Sequence, residues 1–97
     1  MSVRDRYKQA LLGIIHKHVP AARVYLFGSR ARNQEHPGSD IDIALDAQEP
    51  IPYKKLLNIM VEIDDTTIPL KVDIVDFQTA PQDLQEDIIK EGIVWKN

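Results

Sequence analysis

The sequence predicts an α+β domain, a small mixed β-sheet with its helices packed on one face. Two observations carry this. Helical and strand-like patterns follow one another in the order helix, strand, short helix, strand, helix, strand, helix. One strand also has a plain period of two: Ile41, Ile43 and Leu45 point one way, and Asp40, Asp42 and Ala44 the other. The 97 residues suffice for one core, so residues 1–97 are read as a single domain.

The first helix is expected from Val3 to His18, because Val3, Tyr7, Leu11, Ile14 and Ile15 recur at helical spacing. Ser2 with Asp5 resembles a capping pair, and Pro20 stops the helix. Arg23 to Phe27 has the β-branched and aromatic content of a strand. Gly28-Ser29 ends that strand, Arg30-Ala31-Arg32 reads as one turn of helix, and residues 33–39 form a polar loop turning at Pro37-Gly38. Asp40 to Asp46 is the second strand. Pro50 to Pro52 opens a second long helix, with Tyr53, Leu56, Leu57, Met60 and Ile63 as its expected buried stripe. Leu70 to Phe77 is the third strand. Thr79-Ala80-Pro81 starts a third long helix, with Leu84, Ile88 and Ile89 inward and Gly92 at its end. Ile93-Val94-Trp95 forms either a short edge strand or an extended tail.

Composition narrows the function classes. A net charge of −3 and scattered basic residues argue against autonomous binding of long nucleic acid, which needs a basic face. Without cysteines there are no disulfides and no thiolate metal sites, which fits a reducing cytoplasm. No apolar run approaches the roughly 18–20 residues of a bilayer span, and the amino terminus lacks a secretory pattern, so no membrane role is expected and the location is read as cytoplasmic.

The aspartates are the chemical signal. Carboxylates at i and i+2 of a strand share a face about 6–7 Å apart, so Asp40 and Asp42 point together, away from Ile41 and Ile43. In Val72-Asp73-Ile74 the third strand repeats the pattern. If the two strands are neighbours, Asp40, Asp42 and Asp73 converge, and three such charges call for a cation. An all-oxygen cluster suits Mg²⁺ or Mn²⁺. A bare D-x-D is more often a solvent-facing strand end, but aspartate is a poor strand former and three on one side of two strands is unusual for plain surface.

Phe27-Gly28-Ser29-Arg30 adds a strand running into a turn and a helix start. Glycine permits positive φ and close approach of a phosphate, while free N–H groups and the Ser29 hydroxyl form an anion nest. The combination is specific: Gly-Ser, ten intervening residues, D-x-D, then a later aspartate on a hydrophobic strand.

Taken together, Leu26-Phe27-Gly28-Ser29-Arg30-Ala31-Arg32, Ser39-Asp40-Ile41-Asp42-Ile43-Ala44 and Val72-Asp73-Ile74-Val75 closely resemble the minimal nucleotidyltransferases of the DNA polymerase β-like superfamily. The resemblance covers nearly the whole chain. It implies that Gly28 and Ser29 bind a triphosphate, that Asp40 and Asp42 ligate metal, and that Asp73 completes the metal site and helps deprotonate the attacking hydroxyl. Two Mg²⁺ ions are implied, with Mn²⁺ possible, and ATP as the expected donor. Arg30 and Arg32 are candidate triphosphate partners, though a helix start is also a common place for solvated arginines. Many relatives carry glycine at the position of Asn33, and asparagine tolerates the left-handed conformation.

The other candidates have plainer readings. His16 and His18 sit at a helix end, where the dipole favours them. His36 is an exposed loop residue able to touch a substrate. Asp46 and Asp76 end their strands, Asp76 within reach of the site, and Trp95 packs. By resemblance, the acceptor is a tyrosine of a helical HEPN partner, with this chain as antitoxin. A non-catalytic antitoxin or a nucleotide-binding regulatory module stays open beside that role.

Overall fold

The computed structural model describes residues 3–97. Helix α1 runs Asp5–His18, later than the expected start at Val3. Arg4 is extended before it (φ −59°, ψ 139°), and no side chain caps the helix; Ser2, the expected cap, lies outside the described residues. Asp5 in the first turn and His16, Lys17 and His18 in the last complement the helix dipole. His18 also meets Glu62 at 3.0 Å, which joins the end of α1 to the second helix.

Strands β1 (Arg23–Phe27) and β2 (Ile41–Asp46) pair antiparallel, and helix α2 (Tyr53–Asp64) then crosses to β3 (Val72–Asp76), which lies parallel to β2. A 3₁₀ turn (Phe77–Thr79) leads into α3 (Gln82–Glu91), and β4 (Ile93–Lys96) returns antiparallel to the free edge of β1. The sheet order is β3-β2-β1-β4, so the last residues form the edge strand rather than a tail.

One face of the sheet carries the main core. Val24, Leu26, Ile41, Ile43 and Leu45 are buried against Leu11 and Ile15 of α1 and Ile59 and Ile63 of α2. Trp95 packs at its border, with Lys8 over its ring.

The expectation of helices on one face needs correcting, because α3 lies on the other. Ile88 is fully buried against Tyr25 and Ala44, with Phe27, Phe77 and Leu84 at the margin. The cause is in β1, whose Arg-Val-Tyr-Leu-Phe run is apolar on both faces and must be covered on both. The paired residues Tyr25 and Ala44 form the row that α3 caps; the next row, Phe27, Asp42 and Asp73, lies towards the start of β2 and β3.

Two helix stripes are also corrected. On α2, Ile59 and Ile63 are buried with Leu56 and Met60 beside them, whereas Tyr53 and Leu57 are 72% and 42% exposed. The helix carries two apolar rows, and the sheet selects the one containing Ile59. On α3, Ile88 is inward and Ile89, about 100° further round, is 60% exposed.

Candidate functional site

The site grows from the row at the mouth of β1, β2 and β3. Antiparallel pairing sets Phe27 opposite Asp42, and parallel pairing sets Asp42 opposite Asp73. Asp42 and Asp73 therefore share the face opposite the main core, as the strand alternation predicts. Asp40 lies just before β2, two residues from Asp42, and the Ile41 N–H donates to the Lys71 carbonyl at 2.9 Å, joining the starts of the two strands.

Gly28 follows Phe27 directly and adopts φ +73°. A Cβ on Gly28 would run into Asp42 Oδ2 and stand 3.2 Å from its Cγ. Glycine here serves both needs: positive φ for the turn, and backbone laid against a carboxylate. The Gly28 carbonyl accepts from the N–H groups of Ala31 (3.1 Å) and Arg32 (3.2 Å), so residues 28–32 make the expected single helical turn. Asn33 closes it at φ +57°, the left-handed position foreseen for it.

Arg30 is turned inward. It is 6% exposed, and its Nε and one terminal nitrogen donate to the Ser39 carbonyl at 3.1 and 2.8 Å. Ser39 is itself buried, and its Oγ accepts from the His36 N–H at 3.0 Å. Arg30 thus secures the residue immediately before Asp40. Arg32 is exposed and meets Glu91 of α3 at 3.4 Å.

The electrostatics single out Asp42. Its carboxyl is held above the ordinary carboxylate range, first by burial, then by the charges of Asp73 and Asp40. Lys71 opposes that rise and stands 3.7 Å from Asp73. Lys71 was not singled out from the sequence, although it lies at i−2 to Asp73, the spacing that puts two strand residues on one side.

Asp76, expected within reach of the site, does structural work instead. It is buried on the opposite side of β3 and accepts from the N–H groups of Ile51 (2.9 Å) and Gln78 (3.2 Å). Asp46 accepts from Gln48 and Gln78 beyond the end of β2. His36 is exposed on its loop.

The residues fit a divalent cation by charge and donor type. Three carboxylates gather at the starts of β2 and β3, and Asp42 is disfavoured as an anion first by burial and then by the other two. Among the described residues, no three acidic or histidine side chains are arranged to hold one ion as they stand, so the fit is one of chemistry rather than of a finished cage.

The sequence profile of the polymerase β nucleotidyltransferase family matches residues 9–96. MntA of Haemophilus influenzae, described as a probable protein adenylyltransferase, is 30% identical over 81 residues, covering 84% of this chain and 71% of that one. The fold superposes on a toxin–antitoxin structure containing AMP-PNP with a TM-score of 0.78, at 24% identity, over 91% of this chain and 71% of that one. It also superposes on a complex of a tri-AMPylated Shewanella oneidensis HEPN toxin with its MNT antitoxin, with a TM-score of 0.74 at 21% identity, over 98% of this chain and 71% of that one. No helix of the described residues is long and apolar enough to cross a membrane.

Proposed function

The chain belongs to the polymerase β nucleotidyltransferase family, and from that premise we infer that it transfers AMP from ATP to a hydroxyl of a helical HEPN-type protein, acting as its antitoxin. The observation that carries this reading is the Asp42–Asp73 pairing beside the Gly28 turn, which brings a carboxylate pair against the backbone of a Gly-Ser turn. The relatives supply the acceptor class: MntA is named for protein adenylylation, and the Shewanella complex holds an AMPylated HEPN toxin.

In this reading the N–H groups of the Gly28-Ser29 turn cradle the triphosphate, beside the Asp42 carboxylate that lies against Gly28. Of the two arginines, exposed Arg32 is the better placed to reach phosphate, while Arg30 holds Ser39. Asp40, Asp42 and Asp73 would hold the metal, two Mg²⁺ or Mn²⁺ ions. Bound there, divalent ions would supply neutralisation of charge on the attacking and leaving oxygens. Asp73 takes the proton of the acceptor hydroxyl. The acceptor oxygen, a tyrosine by family resemblance, bonds to the α-phosphorus as the bond to the bridging oxygen breaks, and pyrophosphate leaves.

The carboxylate row lies at the edge of the ground covered by α3, on a shallow face that cannot by itself align an acceptor. Alignment of the attacking oxygen is worth several kcal/mol, so the partner must supply it. The isolated chain should turn ATP over slowly. Mixing it with its cognate HEPN protein, ATP and Mg²⁺ should add AMP to that protein by intact mass. The gain should vanish in an Asp40→Asn/Asp42→Asn/Asp73→Asn chain. If the triple variant silences the partner equally well with no covalent change, inhibition is by binding alone.

A further inference from the structure

The outer surface of α2 carries an apolar row that the fold does not use. Tyr53 (72% exposed), Leu57 (42%) and Val61 (60%) recur every four residues and line one stripe along the 12-residue helix, about 18 Å long. The carboxylates are elsewhere. Helix α2 packs on the sheet face lined by Ile43 and Leu45, and Asp42 and Asp73 stand on the opposite face. A partner seated over the aspartates leaves this stripe uncovered.

Three features say what covers it. The stripe is symmetric about Leu57, with Tyr53 and Val61 four residues to either side. Its two ends differ in shape: Tyr53 projects at the amino end, and a groove of about 540 Å³, lined by His18, Asn58, Val61, Glu62, Asp64 and Asp65, opens at the carboxyl end. They also differ in charge, with Lys54 exposed beside the stripe at the amino end and Asp64 and Asp65 at the carboxyl end. A surface with a knob and positive charge at one end, and a groove and negative charge at the other, complements itself when turned by 180°.

We propose that the outer face of α2 is a homodimer interface, on which a second copy of this chain docks its own α2 antiparallel about a twofold axis at Leu57. Tyr53 of each copy then enters the groove beside Val61 of the other, and the lysine end of each helix meets the aspartate end of its mate. Both carboxylate faces point outward and remain open. The inference is independent of the transferase reading, because it uses no residue of that site. One helix pair buries less than the roughly 800 Å² per partner of a standard interface, so the dimer is weak and concentration-dependent.

Sedimentation of the full chain between about 10 μM and about 1 mM should show a shift from one to two chain masses, a range suited to an interface of this size. Leu57→Glu sets two like charges together on the axis and should keep the chain monomeric throughout, with a thermal midpoint near the parent's at about 10 μM, where both are monomeric, because Leu57 is partly exposed. Lys54→Glu should weaken the dimer, and adding Asp64→Lys with Asp65→Lys should restore it. The chain contains no cysteine. Leu57→Cys therefore provides a unique thiol that should form a covalent dimer on mild oxidation, while Gln9→Cys on the exposed side of α1 should not. A monomer at every concentration, a dimer indifferent to Leu57→Glu, or protection of the Leu57→Cys thiol by a helical partner in place of a second copy would each overturn the proposal.

Discussion

Gly28 and Asp42 lie against each other so closely that a Cβ on the glycine would occupy the place of an Asp42 carboxylate oxygen. The Asp42 side chain is a movable group, so a methyl at residue 28 displaces the carboxylate rather than the strand. Positive φ for alanine adds a cost of about 1–2 kcal/mol. Gly28→Ala should therefore fold with a thermal midpoint lower by roughly 4–8 °C per kcal/mol. Its transfer rate should fall far more, about 100-fold, since a carboxylate misplaced by an ångström costs that much. Equal, modest losses in both measurements would show that the contact supports only the fold.

Arg30 makes a second prediction. Its two donations to the Ser39 carbonyl hold the residue before Asp40. Arg30→Met leaves a buried carbonyl without those donors, at a cost of about 1–3 kcal/mol. Arg30→Lys keeps the charge but not the paired donation, and should recover only part of it. If Arg30 acts by placing Asp40, Arg30→Met should raise the Mg²⁺ concentration needed for half-maximal transfer and leave the KM for ATP near its original value. A change confined to the KM for ATP would instead make Arg30 a direct triphosphate ligand.

The carboxylate pair was legible in the sequence because a strand has a period of two. The alternation through Ile41–Leu45 and Val72–Ile74 fixes which face Asp42 and Asp73 share, whatever lies around them. Parity also separates Asp73 from Asp76: three residues apart on one strand, they face opposite ways, so the structural role of Asp76 was readable in principle. The rows of α2 were not. Both Leu57 and Ile59 sit at helical spacing in apolar rows, and only the sheet beneath decides which row is covered. The side taken by α3 depended on β1 being apolar on both faces, a pattern that a short strand shares with a buried helix segment. Arg30 was ambiguous by nature, since the same side chain serves a phosphate or a carbonyl.

Asp76 supplies the contrast to the site aspartates. Its carboxylate accepts two backbone N–H groups, from Ile51 ahead of α2 and Gln78 in the 3₁₀ turn. Asp76→Ala leaves both donors unpaired at about 1–3 kcal/mol for each buried one. The variant should unfold at a lower temperature or denaturant concentration, while the folded fraction keeps its transfer rate. Asp73→Asn should do the reverse, keeping stability and losing transfer. Loss of activity in folded Asp76→Ala protein would return that residue to the site.

Asp42 ties stability to pH and metal. Its carboxyl is raised by burial and by the charges of Asp73 and Asp40, so the fold favours the protonated form. The sign follows by linkage: its favourable contribution is fully present below the unfolded carboxylate pKa and is lost as pH rises through the raised folded value. At neutral pH the ionised group opposes the metal-free fold. Asn at residue 42 carries no charge at any pH, so Asp42→Asn should be more stable than the parent at pH 7 in EDTA. Solvent screens a half-buried group, which holds the gain to about 1 kcal/mol or less. The difference should shrink as pH falls through the raised folded value and vanish below about 4, where both proteins are neutral at that position. Added Mg²⁺ should raise the thermal midpoint of the parent at pH 7, because binding to the folded state alone stabilises it, and should raise that of Asp42→Asn much less. Calorimetry at pH 4 and pH 7, with EDTA and with Mg²⁺, reads all four cases. An Asp42→Asn protein less stable than the parent at pH 7 in EDTA would mean that the three carboxylates do not repel one another, and the charge argument for a cation at this site would fail with it.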